Sequence, residues 1–272
     1  MKLDVLICTF NSGIDKVSDI LQEMRADVRY IISHQYTDEK YRYLPLELDR
    51  EDVLVTQVQG LGLSRNRNNA LKYAEGDIAL IADDDVKYLP DAFNKILDVF
   101  EGNPGVDIAL FKIKTPEDEP EYKNYPNESY KFNNRNKHKV SSIEIAFRPH
   151  RIKSNNISFD ERFGLGSSYL TAGEENVFIH DCTIAGLEAV YYPIFIVEHS
   201  VFSTLRKIPA HDKLVSRLAA ANDAYRQPFL AIPKAIARTI KYLPDMIRFK
   251  KNPFAFLNEG IKAIIYVWTT KK

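Results

Sequence analysis

Three aspartates, Asp83, Asp84 and Asp85, directly follow the apolar run DIALIA. Carboxylates crowded at the tip of a buried strand repel one another, so something positive should sit among them. Carboxylate oxygens are hard donors suited to Mg2+ or Mn2+, and such ions are held by one or two carboxylates plus the phosphates of a substrate. A divalent cation and a nucleotide diphosphate are therefore expected here. The plainer alternative is that the acids cap the helical segment that follows, since Asp is favoured at helix starts. A second acidic pair, Glu174 and Glu175, opens EENVFIHDCTIAG, which reads as a short helix ending at Gly186. Glutamates in a first turn are common decoration.

The elements that would position these groups alternate between strand and helix patterns, which predicts an α/β fold with a mostly parallel central sheet and helices on both faces. Ligands bind at the strand C-terminal ends of that architecture. LDVLIC is read as a first strand, followed by one helical face made of Ile14, Val17, Leu21 and Met24. VRYIIS and VLVTQV are further strands; Ser64 is expected to cap a helix through Ala74, before Gly76. After the fourth strand, DIALIA, come a helix with Phe93, Ile96, Leu97 and Phe100 on one face, the turn NPG and a fifth strand, VDIALFKI. Thr115 to Lys139 has no periodicity and reads as a long loop or mobile excursion. SSIEIAF, EAVYYP and IFIVEHS read as later strands, with ISFDERFGLGSSYLTAG an irregular Gly-rich stretch. From about Arg206 the pattern is helical, with interruptions expected at Pro228, Pro233, Pro244 and Pro253. The expected division is 1–205 for the α/β domain, in two halves, 1–113 and 114–205, and 206–272 for a C-terminal helical region.

The chain has 272 residues, 45% hydrophobic, with a formal net charge of zero, so overall charge offers no argument for a nucleic-acid partner. Two cysteines, Cys8 and Cys182, suggest neither a disulfide framework nor a thiolate metal site. With neither a signal-peptide pattern nor an uncharged apolar run near the roughly 20 residues a spanning helix needs, a cytoplasmic protein is expected, any membrane contact being peripheral on the inner face. The tail differs from the rest: nine Lys/Arg from Lys234 to Lys272 face Asp245 and Glu259 alone.

GLSRNRNNALKYAEGDIALIADDD resembles the donor-binding half of family-2 glycosyltransferases of the GT-A fold, through Gly62, Ser64, Arg67, Asn68, Gly76, Asp77, Asp83 and Asp85. CTFN, Cys8 to Asn11, resembles the first strand and turn that hold the nucleoside, and FDERFGLGSSYLTAGEENVF the acceptor-side motif. The resemblance implies a Rossmann-like GT-A sheet and an inverting, nucleotide-diphosphate-sugar-dependent transferase. Thr9 and Asn11 would lie against base and ribose; Ser64 and Asp84 join the donor site; Arg67 would contact the nucleotide or brace the aspartates. Asp83 would face ribose or metal, and Asp85 would ligate the metal. Glu175 would be the catalytic base, with Glu174 against the acceptor. A helix N-terminus favours the ionised carboxylate that a base needs. His199 would complete the metal shell and favour manganese over magnesium, hydrogen-bonded packing being the commoner use of such a histidine. His34, His138, His150, His180 and His211 have no comparable context.

One departure stands out. Where the family carries an acidic pair that recognises the base, this chain has Ser33, His34 and Gln35. Uridine is the expected base from family frequency, contacted by Gln35 or main chain. The acceptor would be a carbohydrate or a lipid-linked molecule, in cell-surface polysaccharide synthesis. A nucleotidyltransferase of similar topology is the competing enzyme class, although CTFNSG lacks its Gly-rich loop; a catalytically inactive nucleotide-sugar-binding protein is the non-enzymatic one. Ile232, Ile236, Ile240 and Leu243, then Leu257, Ile261, Ile264 and Trp268, recur at helical spacing among basic residues. Residues 230–272 are thus expected to pack on the catalytic domain, to mediate homodimerisation, or to lie on an anionic membrane.

Overall fold

The computed structural model describes residues 1–133, 139–202 and 208–272. Strands β1 (Leu3–Phe10), β2 (Val28–Tyr36), β3 (Val53–Gln59) and β4 (Ile78–Asp83) form a parallel block in the order β3-β2-β1-β4. β8 (Ile145–Phe147) runs antiparallel between β4 and β6 (Ile108–Lys114), and β6 pairs in parallel with β9 (Ala189–Glu198). The short β5 (Lys87–Tyr88) and β7 (Tyr130–Lys131) both pair antiparallel with β9. Because successive strand residues point to opposite faces, Val5 and Ile7 join one apolar layer while Leu6 and Cys8 join the other. The first layer is closed by α2 (Ala92–Gly102) through Phe93, Ile96 and Phe100, as expected. The second is closed by α1 (Leu63–Tyr73), α3 (Pro149–Ser154) and α4 (Glu174–Ile184).

Four local expectations are corrected. The segment after β1 is a 3-10 helix, Asn11–Ile20, with Ile14, Val17 and Ile20 inward; a spacing of three suits its three residues per turn, and Met24 lies exposed beyond its end. EAVYYP and IFIVEHS are one strand, β9, running through Pro193. The β6–β9 register shifts between Leu110 and Lys112, a bulge that accommodates a residue without an N–H. SSIEIAF contributes only three strand residues, after a 3-10 turn at Ser142–Glu144. The described part of the 115–139 loop is also anchored rather than free. Lys123 Nζ donates to the buried Glu144 at 2.7 Å, the Tyr125 hydroxyl donates to the same carboxylate, and the Tyr191 hydroxyl donates to Pro126 O at 2.9 Å. His138 lies outside the described residues.

The C-terminal region is three helices, α5 (Lys213–Arg226), α6 (Ala231–Arg248) and α7 (Pro253–Thr269). The expected boundary at 205/206 lies outside the described residues. Pro228 opens a 3-10 turn and Pro253 starts α7, but Pro233 and Pro244 interrupt nothing. Pro233 sits in the first turn of α6, where its missing N–H has no intrahelical partner to lose. The helices pack on the α/β part: Ala220, Ala221, Ala224, Ala263 and Ile264 share an apolar cluster with Phe163, Leu170 and Val177. Among the described residues no helix is long and apolar enough to cross a membrane.

α5, α6 and α7 meet at Gly260. A Cβ there would lie 2.9 Å from Ser216 Oγ, 3.4 Å from the Cβ of Ala220 and 3.8 Å from that of Ala235. Gly260→Leu should therefore overpack the junction and cost about 1–3 kcal/mol, read as a lower denaturation midpoint, whereas the same change at exposed Ala237 should leave it unmoved.

Candidate active site

The site forms where β1 and β4 end side by side, Cys8 lying opposite Asp83. Helix α1 organises it, because Ser64, Asn66, Arg67, Asn68 and Asn69 of SRNRNN tie it to several other segments. Ser64 donates to Phe163 O at 2.6 Å, so it sits inside the helix facing the loop that carries Phe163, and Gly62, at φ +117°, holds the cap position expected for it. Asn66 donates to Thr9 O at 3.0 Å and accepts from Ser33 Oγ at 2.6 Å. Asn68 accepts from Phe159 N and donates to Phe159 O, at 2.8 and 2.9 Å. Asn69 donates to Ser33 Oγ at 2.9 Å.

Arg67 is the centre of the set. It is 3% exposed, and it donates through Nη1 to Glu174 Oε1 at 2.7 Å and through Nη2 to Asp83 Oδ1 at 3.2 Å. Its guanidinium also faces the Phe159 ring, 5.6 Å from the centroid. Burial alone would lower its pKa, but the carboxylates of Asp83, Glu174 and Glu175, with the Cys8 sulfur, outweigh that and raise it. One fixed cation thus joins the end of β4 to the start of α4. The expected bracing of the aspartates is observed, for Asp83.

The aspartate triplet is split three ways. Asp83 faces Arg67 and accepts from Ser142 Oγ at 3.3 Å. Asp84 accepts from Thr9 Oγ1 at 2.5 Å, and its pKa is raised, by burial first and then by Asp85 and Asp83, against the lowering effect of Thr9. Asp85 keeps a 59% exposed side chain, with Oδ1 3.3 Å from His199 Nε2. That hydrogen bond lowers Asp85 and raises His199. The expected metal set of Asp83, Asp85 and His199 is therefore not assembled: the buried guanidinium draws Asp83 away, and among the described residues no group of three or more His, Cys, Asp or Glu could hold a metal. Asp85 with His199, one exposed carboxylate beside one imidazole, fits a two-residue cation edge of the kind completed by a substrate's phosphates.

The nucleoside-side residues are placed differently from expectation. Thr9 is 2% exposed and spends its hydroxyl on Asp84. Asn11, at φ +50°, accepts from Thr37 N at 3.0 Å, which ties the end of β1 to that of β2. His34 fills the place of a family acid: buried, its pKa lowered by that burial, it lies between Asn11 O at 2.9 Å and Gln57 Nε2 at 3.2 Å. Gln35 is 3% exposed, and its Nε2 has no hydrogen-bond partner among the described residues. Sequence reasoning missed Asn66 and Asn69 and gave His34 no role; the polar run of α1, with Asn at 66, 68 and 69, was the available signal for the first two.

The acids of α4 are unequal. Glu174, expected against the acceptor, is 5% exposed and held by Arg67. Glu175 is half-buried; burial and the neighbouring Glu174 raise it to about 8, against the lowering effects of Arg67, its own backbone N–H and Lys123. Burial thus outweighs the helix N-terminus, which alone would favour the ionised form. Cys8, pushed up to about 12 by burial, is no nucleophile. A cavity of about 660 Å³ lies at the opposite strand ends, with Asp4, Arg29 and Asp52 in its wall. Its two buried acids are already paired, Asp4 with Arg29 and Asp52 with Arg50, so it makes no second candidate.

The fold and site define the class as GT-A. Residues 46–163 match the family model described as glycosyl transferase family 2, so the resemblance seen in the sequence holds over that segment. Among solved structures, the chain is similar to Staphylococcus aureus TarS, with 22% identity, a TM-score of 0.56, and coverage of 82% of this chain and 40% of that one. It is also similar to TarS 1–349 in complex with UDP (20% identity, TM-score 0.57, 82% and 66% covered) and with UDP-GlcNAc (19%, 0.57, 82% and 67%). The chain thus spans well under half of the longer TarS structure. Among curated proteins none matches.

Gly164, at φ +102°, lets the loop that follows Phe163 approach this cluster: a Cβ there would lie 3.0 Å from Ser64 Oγ and 3.3 Å from Glu174 Oε2. Gly164→Ala should cost about 1–3 kcal/mol through backbone strain and crowding of Glu174, measured as a lower unfolding midpoint. Gly102→Ala, with nothing within 4 Å of its Cβ, is the matched control and should show no such loss.

Proposed function

We propose that this chain transfers a sugar from a uridine-diphosphate sugar to a hydroxyl of a carbohydrate or lipid-linked acceptor, with inversion at the anomeric carbon, in the building of a cell-surface polysaccharide. The observation that carries the reading is Arg67, which places the donor-side Asp83 and the acceptor-side Glu174 on one guanidinium, next to Glu175. The family match over residues 46–163 supports a nucleotide-sugar donor. The UDP and UDP-GlcNAc complexes of TarS support uridine as its base, although they are properties of that protein.

In the proposed reaction Glu175 takes the proton of the acceptor hydroxyl. The oxygen forms a bond to the anomeric carbon from the face opposite the leaving group, and the bond from that carbon to the diphosphate oxygen breaks. The nucleoside diphosphate departs with the electron pair. Arg67 binds and orients: it fixes Glu174, whose charge helps raise Glu175 into the range where a base is effective near neutral pH. Asp85 and His199 are the residues that would hold a divalent cation, whose chemistry is to neutralise charge on the diphosphate. Asp84 and Thr9, bonded to each other, set the floor beside the end of β1.

Glu175→Gln should lower transfer by about 10²–10⁴-fold while leaving UDP affinity in calorimetric titration unchanged; full turnover would remove the base assignment. The pH profile gives a second test. A base acts only when deprotonated, so turnover should rise with pH through a midpoint near 8, far above the ordinary glutamate value of 4.5. A flat profile between these values would contradict the assignment, and binding of UDP-sugar without turnover in any condition would favour a nucleotide-sugar-binding protein.

A further inference from the structure

Amphipathic helices in globular proteins normally turn their large apolar residues inward. α6 does the reverse. Its inward residues are Ala231, Ala235 and Met246, whereas Ile232, Ile236, Ile240, Leu243 and Ile247 are all exposed, Ile240 and Ile247 by 65% and 69%. At 100° per residue these five fall within an arc of about 80°, forming one continuous stripe along the helix. Phe229, 96% exposed, extends the stripe beyond the N-terminus, and the turn to α7 adds Phe249 at 52% and Phe254 at 81%. Bare isoleucines and phenylalanines arranged this way cost solubility unless something apolar covers them.

The charge around the stripe selects what that is. Lys241, Arg248, Lys250 and Lys251 are exposed on α6 and the following turn, with Asp245 as the single exposed acid of that segment. The acids that could neutralise this region are used internally: Asp223 pairs with Lys234 and Arg238, and Glu259 with Arg217. A second copy meeting this face would bring those lysines no exposed acid from its own α6 and turn other than Asp245. An anionic lipid surface meets both requirements, accepting the apolar stripe among its acyl chains and the lysines among its phosphates. Since no described helix is long and apolar enough to cross a bilayer, the helix would lie along it.

We propose that α6 and the turn into α7 form a peripheral docking surface for an anionic phospholipid bilayer. Docking there would hold the candidate site at a fixed distance from the lipid, because α5 joins α6 to α4: Tyr225 donates to Asp181 at 2.9 Å and packs edge-on against Phe163. The inference stands independently of the sugar-transfer reading.

The test is co-sedimentation of the full chain with vesicles of phosphatidylcholine alone and of phosphatidylcholine mixed in equal parts with phosphatidylglycerol. The chain should pellet with the mixed vesicles only, and less as salt is raised. Ile236→Asn combined with Ile240→Asn should weaken that binding by about tenfold or more, and Lys250→Glu with Lys251→Glu should remove the preference for the anionic lipid. UDP affinity should be the same in all these variants, which separates this inference from the assignment of the active site. No binding to either vesicle, equal binding to both, or a dimer in sedimentation velocity that the isoleucine substitutions dissociate would each overturn it, the last by showing that a second copy covers the face.

Discussion

One buried cation organises this molecule. Arg67 is all but sealed from solvent, and its two bonds go to carboxylates that come from opposite halves of the chain, Asp83 at the end of β4 and Glu174 at the start of α4. A guanidinium in that position must be paired, because a lone buried charge costs several kcal/mol. The requirement is reciprocal: neither Glu174 nor the tip of β4 could be arranged this way without it. The remaining polar residues of α1 act in the same manner at lower stakes, each tying one loop or strand end to the helix. The result is a rigid frame on which the less buried groups, Asp85, His199 and Glu175, are presented.

This frame also explains why three adjacent aspartates coexist without a shared ion. Each has its own partner: a guanidinium for Asp83, a hydroxyl for Asp84, an imidazole for Asp85. Their mutual repulsion is relieved by dispersal rather than by one central charge. Asp85 is the most exposed of the three, so a ligand that needs a carboxylate from this triplet meets it first. The same logic of unequal neighbours separates Glu174 from Glu175. The first gives up its charge to an ion pair; the second, left against that charge in a partly buried place, holds its proton more tightly.

The architecture was legible in the sequence because it rests on patterns that sequence displays directly. The alternation of apolar strands with the helical face of Phe93, Ile96, Leu97 and Phe100 forces a layered sheet, and the acids after DIALIA do sit at the strand tip. What was not legible depends on contacts across long separations. The pairing of Arg67 with Glu174 spans 107 residues, and nothing in either segment alone announces it. The replacement of a family acid by His34 could be seen, but its burial between Asn11 and Gln57 could not. In α6 the spacing of isoleucines was plain, yet whether that stripe faces in or out depends on Gly260 and the small residues of α5, which let the helices approach on the alanine side. Prolines misled for the opposite reason: Pro233 falls where a helix tolerates it, and Pro193 where a bulge does.

The account is tested most directly by a double-mutant cycle on the unfolding free energies of Arg67→Met, Glu174→Gln and the combination. If the guanidinium and the carboxylate support each other across the two halves, the paired substitution should cost less than the sum of the single ones by about 1–3 kcal/mol. Losses that simply add, within about 0.5 kcal/mol, would show that the two side chains are neighbours without being partners, and the frame described here would have no keystone.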